Sequence, residues 1–260
     1  VVVPPNTPLK NFMTTDVFAV KTDMDQEEVA KIVARYDILA VPVVDETNQL
    51  VGIVTVDDII DIIREEATED ILKMAGVGGE EFIETQSVFR STRIRLPWLS
   101  ASCIGGIVAF FIIGHYEGSL SKLAYLAAFI PVIMGMGGNI GTQTSTIVVR
   151  GLATGRLNIR DTWSVVFKEF AVGFILGTVY GFLVGSVAQL RYSMFQVAIS
   201  VGLAVISSMS IAALVGSLVP MGFAKINIDP AIASGPFVTT AIDIISVAFY
   251  FIIATALLGI

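Results

Sequence analysis

The sequence predicts an α-helical membrane protein in which a small α+β domain precedes five transmembrane helices. Of its 260 residues, 54% are hydrophobic and only 15% are charged, which is less charge than a soluble domain carries. The charge is also divided, because residues 1–89 hold 18 acidic and 6 basic side chains, whereas residues 90–260 hold 5 acidic and 10 basic. We therefore expect an acidic soluble head followed by a membrane body. An acidic head repels phosphate, which excludes a nucleic-acid partner.

The head shows the pattern β-α-β-β-α. A short strand is predicted at 17–21 and a helix from about 25 to 36, with Asp23 as its N-cap. The β-branched runs LAVPVVD (39–45) and LVGIVTV (50–56) predict two further strands, joined by the turn ETNQ.

A second helix begins near Asp57 and continues toward Lys73, and VGGEE follows as a linker. The predicted domains are a head at 1–64, a connecting helix and linker at 65–89, and a membrane domain at 90–260.

Each of the five predicted spans exceeds or approaches the roughly 20 apolar residues that cross a bilayer. They are 96–114, 123–149, 170–190, 192–224 and 230–260. Basic residues set the orientation: eight lie in segments on the side of the head, and only Lys122 and Arg191 lie in the opposite loops. The excess of positive charge predicts a cytoplasmic head and an external C-terminus.

The fifth span contains one charged residue, Asp243. A carboxylate at this depth is costly, so it must face a partner, water or an ion. DP at 229–230 and SGP at 234–236 predict an interrupted helix, and such breaks occur where freed carbonyls line a cavity. Gly235, Thr239 and Asp243 recur every four residues on one face. A cation site and a protonated Asp bonded to a neighbouring helix are both open interpretations.

The second span offers a matching surface in PVIMGMGGNIGTQTSTIVVRG. Gly138, Thr142 and Thr146 recur every four residues, flanked by Asn139 and Gln143. Glycines allow close approach, and hydroxyls and amides can bond ion-bound water, although ordinary packing of small and polar residues would use the same pattern. The oxygen ligands favour a hard cation, and a wide site with one carboxylate per chain suits hydrated Mg²⁺ without selecting it over Ca²⁺ or Mn²⁺.

Two further patterns lie in the membrane domain. Lys168 and Glu169 at the cytoplasmic edge of the third span are interpreted as an interfacial pair. A glycine every four residues along that span predicts close helix packing. This ridge consists of Gly173, Gly177, Gly181 and Gly185.

The head has two candidate binding features. Thr55 and Asp58 stand at a strand end and helix start, a place that can bind a nucleotide ribose. Acidic residues crowd the second helix, either as a solvated face or as a sensor in which a divalent cation relieves their repulsion. They are Asp57, Asp58, Asp61, Glu65, Glu66, Glu69 and Asp70.

These motifs resemble the MgtE family of magnesium channels and transporters along nearly the whole chain. LAVPVVD and LVGIVTVDDIIDII resemble the second CBS repeat of that family, and EEATEDILKMAGV resembles its plug helix. GGNIGTQTST, FKEFAVG and IDPAIASGPFVTTAID resemble its membrane signatures. The family's N-terminal helical domain and first CBS repeat have no counterpart in the sequence, so we expect it to be a fragment of a longer chain.

The resemblance implies a homodimer with a pore on its two-fold axis, and an ion site centred on Asp243. It also implies that ATP can bind the CBS repeat. The chain carries Thr142 and Gly235 where family members have Asn. The implied pore residues are Asp243, Thr239, Gly235, Gly138, Thr142, Thr146 and Asn139. The resemblance also implies a regulatory set of acidic residues, at which bound magnesium would hold the plug helices together and close the pore. This set is Asp37, Asp58, Asp61, Glu66, Glu69 and Asp70.

We therefore predict a passive Mg²⁺ channel of the cell inner membrane, gated by cytoplasmic Mg²⁺, and not an enzyme. A proton- or sodium-coupled carrier of Mn²⁺, Co²⁺ or Ca²⁺ would need several titratable groups in the membrane, and the sequence indicates one. An intramembrane protease would need two carboxylates in one site, or a serine with a buried His or Lys. A membrane-anchored CBS sensor would leave the polar second span unexplained.

Overall fold

The computed structural model describes residues 17–77, 87–118, 124–232 and 235–259, together with positions 4, 7–11 and 13. The chain divides into two compact units, Val1–Ala67 and Thr68–Ile260. The linker predicted from VGGEE falls largely outside the described residues.

The first unit has the predicted β-α-β-β-α order. Its strands form one sheet in the order β1-β2-β3, in which β1 pairs parallel with β2 and β2 pairs antiparallel with β3. The elements are β1 Val20–Lys21, α1 Gln26–Tyr36, β2 Ala40–Val44, β3 Leu50–Thr55 and α2 Val56–Met74. Helix α2 begins in the first unit and its last turns, from Thr68, belong to the second.

The N-cap of α1 differs from the prediction. Asp25, rather than Asp23, occupies this position, and its carboxylate accepts a hydrogen bond of 2.8 Å from the Glu27 backbone N–H. A capping carboxylate must lie directly before the first helical residue, and that residue is Gln26. The core of this unit is apolar and includes Val20, Val33, Val41 and Ile59.

The second unit confirms the five predicted spans as helices long and apolar enough to cross a membrane. Short 3₁₀ turns, Ala124–Phe129 and Ile159–Asp161, lead into the second and third of them. The helices are α3 Val88–His115, α4 Ile130–Ala153, α5 Thr162–Tyr192, α6 Phe195–Lys225 and α7 Pro236–Leu258.

Helix α6 is the most buried of the five and packs against α4, α5 and α7, whereas α3 packs against α7. The glycine ridge of α5 lies on α6, as predicted. A Cβ atom at Gly181 would stand 2.6 Å from the Gly202 carbonyl oxygen, and one at Gly185 would stand 2.9 Å from that of Ala198. The two backbones can approach this closely only because the ridge has no side chains.

The fifth span does not begin with a helix at Pro230, and that prediction is wrong. Residues 230–232 form a turn, in which the Asp229 carboxylate accepts from the Ala231 N–H at 2.8 Å. The helix begins at Pro236, after Gly235 with φ 62° and ψ −130°. This backbone conformation cannot continue a helix, and proline at the first helical position has no N–H to leave unpaired.

Candidate ion pathway

Asp243 lies on α7 one turn before the midpoint of the helix, and its side chain is partly exposed. Among the described residues, its carboxylate makes no hydrogen bond and no ion pair. The structure therefore does not show the bonded Asp that was the alternative interpretation. An unpaired carboxylate within a membrane helix must face water or a cation, because lipid cannot solvate it.

Packing of the preceding residue fixes the direction of Asp243. Ile242 is 1% exposed and its side chain fills the space directly above Gly141 of α4. Since successive helical residues are about 100° apart around the axis, burying Ile242 turns Asp243 toward the open side of α7. Gly138 lies beside it, where an added Cβ atom would stand 3.9 Å from Asp243 Oδ1.

The open side of α4 is polar. Asn139, Thr142, Gln143 and Thr146 are all exposed, whereas the opposite face of the helix is buried against its neighbours. A polar stripe on a membrane-length helix is not stable against hydrocarbon. This stripe therefore needs water or another polar surface beside it.

Two threonine hydroxyls on these faces donate their hydrogen bond within their own helix. Thr142 donates to the Gly138 carbonyl at 2.9 Å, and Thr239 donates to the Gly235 carbonyl at 3.1 Å. A hydroxyl has one donor and two acceptor lone pairs, so both oxygens keep acceptor capacity. They are suited to waters held around a cation.

A buried pair of serines links three helices close to Asp243. Ser208 of α6 donates to the Ile133 carbonyl of α4 at 3.1 Å and lies 2.7 Å from the Ser246 hydroxyl of α7. Because the Ser208 proton goes to Ile133, Ser246 is the donor in that contact. The pair ties α4, α6 and α7 together one turn beyond Asp243. Sequence reasoning missed it, since neither serine stands in a distinctive motif.

A second carboxylate lies within the five described spanning helices. Glu169 of α5 is 7% exposed and accepts a hydrogen bond of 3.2 Å from the Thr144 hydroxyl of α4. The interpretation of Glu169 as the interfacial partner of Lys168 is wrong, because the side chain points into the helix packing. The expectation of a single titratable group within the spans is wrong for the same reason.

Gly235 stands at the start of α7, in contact with the end of α2. An added Cβ atom would overlap the Met74 carbonyl oxygen. The structure therefore places this predicted pore residue against backbone of the connecting helix, one turn from Thr239 and two turns from Asp243.

The predicted regulatory carboxylates have separate partners in one chain. Glu66 accepts from Gln26 at 2.8 Å, Glu69 pairs with Lys73 at 2.6 Å, and Asp61 approaches Arg64 at 3.8 Å. Asp37 ends α1 in the left-handed conformation, and Asp70 also has an interaction partner. Within the described part of the chain, no three acidic, His or Cys side chains group as metal ligands. The regulatory site stays a prediction.

Thr55 and Asp58 form the start of α2. Asp58 Oδ2 accepts from the Thr55 hydroxyl at 3.0 Å and from its backbone N–H at 3.4 Å. This arrangement resembles a capping box, in which an acidic residue in the first turn reaches back to the N-cap and stabilises the helix N-terminus without any ligand. Nucleotide binding at these residues stays a prediction.

Five helices long and apolar enough to cross a membrane, one with an exposed polar stripe and another with an unpaired carboxylate, define the class as a multi-pass membrane protein. The comparisons with known proteins give the family. Residues 130–253 match the family model of MgtE, a divalent cation transporter, and residues 9–65 match the CBS domain.

The relatives include three proteins named magnesium transporter MgtE. Those of Bacillus subtilis and Thermus thermophilus are 39% and 38% identical over 97% and 99% of this chain, and over 56% and 57% of their own lengths. That of Enterococcus faecalis is 38% identical over 96% of this chain and 55% of its own length. The chain belongs to the MgtE family, and it spans about half the length of these curated relatives.

Proposed function

We propose that two copies of this chain form a passive Mg²⁺ channel in the cell inner membrane. The observation that carries the proposal is the unpaired carboxylate of Asp243 beside the open polar face of α4. The names of the relatives support Mg²⁺ as the transported ion. In this arrangement the head is cytoplasmic and the C-terminus external, as the distribution of basic residues predicts.

The need for a second copy follows from the open faces. Among the described residues, the polar side chains of α4 are exposed and Asp243 of α7 is partly exposed. Two copies related by a two-fold axis would place these faces opposite each other and enclose them. The enclosed space would hold two carboxylates and a wall of hydroxyl and amide oxygens.

The donor set suits a hydrated divalent cation. Mg²⁺ releases its waters reluctantly and usually keeps several of them when it binds protein. Thr142 and Thr239 keep acceptor lone pairs for water hydrogens, and Gly138 leaves room beside the carboxylate. The ion would then be held by Asp243 mainly through its charge, which permits release toward either side.

Gating by cytoplasmic Mg²⁺ is part of the proposal. The acidic side chains of α2 repel one another in the absence of cations, and Mg²⁺ bound between them would reduce that repulsion. With the second copy present, carboxylates from two α2 helices could share ions that one chain alone does not gather.

A coupled carrier is the second candidate, and Glu169 favours it. The buried Glu169 on α5 gives the five described spanning helices a second carboxylate besides Asp243. Such a carrier would couple the transport of a divalent cation to the movement of protons or sodium ions. Flux that follows an imposed proton gradient would favour the carrier over the channel.

The test is ion flux into liposomes that contain this chain or its Asp243→Asn variant, with Mg²⁺, Ca²⁺, Mn²⁺ and Co²⁺ compared. Asp161→Asn, at an exposed aspartate before α5, is the matched control. We expect flux from the wild type and from the control, and at least a tenfold loss in Asp243→Asn. Equal flux in all three proteins would overturn the assignment of Asp243, and no flux from folded dimeric wild type would overturn the channel.

A further inference from the structure

The last turns of α2 are tied to the loop between α6 and α7 by one lysine. Lys73 Nζ lies 2.6 Å from Glu69 Oε1, four residues earlier on α2, and 2.6 Å from Asp229 Oδ2, 156 residues later in the chain. The side chains of Lys73 and Asp229 are 22% and 34% exposed. All three residues belong to the second unit.

A second hydrogen bond fixes the orientation of the Asp229 carboxylate. Asp229 uses its other oxygen, Oδ1, to accept from the Ala231 N–H at 2.8 Å. The lysine ammonium therefore bridges two carboxylates, one on its own helix and one in the loop between α6 and α7.

The backbone beside the ion pair is in close contact. The Met74 carbonyl lies against Gly235, and Gly76, with φ 73°, lies where an added Cβ atom would stand 2.6 Å from Pro236 Cγ. On the other side of this contact, the rings of Trp98 and Phe237 pack edge to face with centroids 5.5 Å apart. The end of α2 is thus seated on the first turn of α7, the helix that carries Asp243.

We infer that Lys73 is a latch that holds the end of α2 against the start of α7 without any bound metal ion. This inference rests on the proposed function and adds a second means of regulation to it. The lysine attracts both Glu69 and Asp229 from within the chain and offsets one of their two negative charges, so the seated state of α2 is populated even when divalent cations are absent. Lys73 acts as a positioning residue, and it contacts no transported ion.

The functional test measures basal Mg²⁺ flux with no divalent cation on the head side. Hydrogen bonds between charged groups contribute about 1.5–3 kcal/mol, which equals a shift of roughly 10- to 150-fold in a two-state equilibrium. We expect Lys73→Met to raise basal flux about tenfold. The reciprocal variant Lys73→Glu with Asp229→Lys should return it to the wild-type level, because the opposite charges still meet. If the wild type conducts and the basal Mg²⁺ flux of Lys73→Met equals that of the wild type, the latch is overturned.

A distance measurement tests the latch without conduction. Spin labels at Ile71 and Ile228, whose side chains are 62% and 41% exposed, report the separation of α2 from the α6–α7 loop in a Cys103→Ser background. With a chelator present, we expect a narrow distribution of label-to-label distances when Lys73 is unsubstituted. For Lys73→Met we expect a broader distribution with a longer mean distance. Identical distributions would overturn the latch, whatever the flux shows.

The matched control is Lys31→Met, which breaks the exposed pair of 3.0 Å between Lys31 and Glu27 on α1. It removes one positive charge from the chain, as Lys73→Met does, at an exposed position of the first unit. We expect neither flux nor the labelled distance to change. If Asp243→Asn leaves flux unaltered while the labelled distance responds to Lys73, the channel assignment fails and the latch stands.

Discussion

Gly235→Ala separates two roles for one residue. The sequence predicts Gly235 as part of the ion pathway, whereas the structure places it in contact with the Met74 carbonyl at the end of α2. A pore-wall role predicts that an added methyl group changes the order in which ions are conducted. A seating role predicts that it changes how often α2 leaves α7, with the ion order unaltered.

The magnitude follows from two terms. At φ 62° and ψ −130°, a residue with a side chain is strained by about 1–3 kcal/mol. An added methyl group also overlaps the Met74 carbonyl oxygen, and overpacking of this kind costs about 1–3 kcal/mol. Movement of α2 away from α7 relieves at least the second term. The seated state should therefore lose roughly 5- to 150-fold in population.

The assay is basal Mg²⁺ flux in chelator, together with the ranking of Mg²⁺, Ca²⁺, Mn²⁺ and Co²⁺. Gly259→Ala is the control, because Gly259 has a similar φ of 65° but no atom within 4 Å of an added Cβ. We expect at least a fivefold rise in basal flux for Gly235→Ala, no rise for Gly259→Ala, and an unchanged ion order in both. A changed ion order with unchanged basal flux would refute the seating role.

Three other substitutions test the packing and the head. Ser246→Ala removes the donor to Ser208 and should destabilise the membrane unit by about 1 kcal/mol, seen as a lower Tm in detergent; an unchanged Tm would contradict the tie between helices. Gly181→Ala forces a methyl group to within 2.6 Å of the Gly202 carbonyl and should cost about 1–3 kcal/mol, again read as Tm. Hydrogen bonds from the Gln49 N–H and the Thr47 hydroxyl lower the pKa of Asp45, so its contribution to stability is present above about pH 3.9 and is lost as pH falls through the lower folded pKa. Unfolding of the wild type and of Asp45→Ala should then differ at neutral pH and converge in acid, and a constant difference would show that the carboxylate charge is not involved.

The sequence predicted those features that depend on local pattern. Hydropathy over long windows gave the five spans, because each span must be apolar along its whole length. The spacing of Gly138, Thr142 and Thr146 predicted a polar face, which the structure shows as one exposed stripe that includes both threonines. The two apolar, β-branched runs likewise predicted both longer strands of the head.

Contacts between distant segments could not be predicted in this way. Ser208 and Ser246 are 38 residues apart, and Lys73 and Asp229 are 156 residues apart. Nothing near either residue indicates its partner, since the pairing depends on how whole helices cross. The start of α7 was placed too early: Pro230 suits a helix N-terminus, but the backbone of Gly235, at φ 62° and ψ −130°, cannot continue a helix, and α7 begins at Pro236.

In the proposed ion pathway, the two threonines that donate to carbonyls four residues earlier would also separate ions by the sign of their charge. Each hydroxyl proton is committed to its own helix, at 2.9 Å for Thr142 and 3.1 Å for Thr239. A chloride ion beside these two hydroxyls would meet their oxygen lone pairs, which repel it, whereas the outward-pointing hydrogens of a hydrated cation would be accepted. In that pathway these two side chains would favour cations over anions, whatever the size of the ion or the number of waters bound to it.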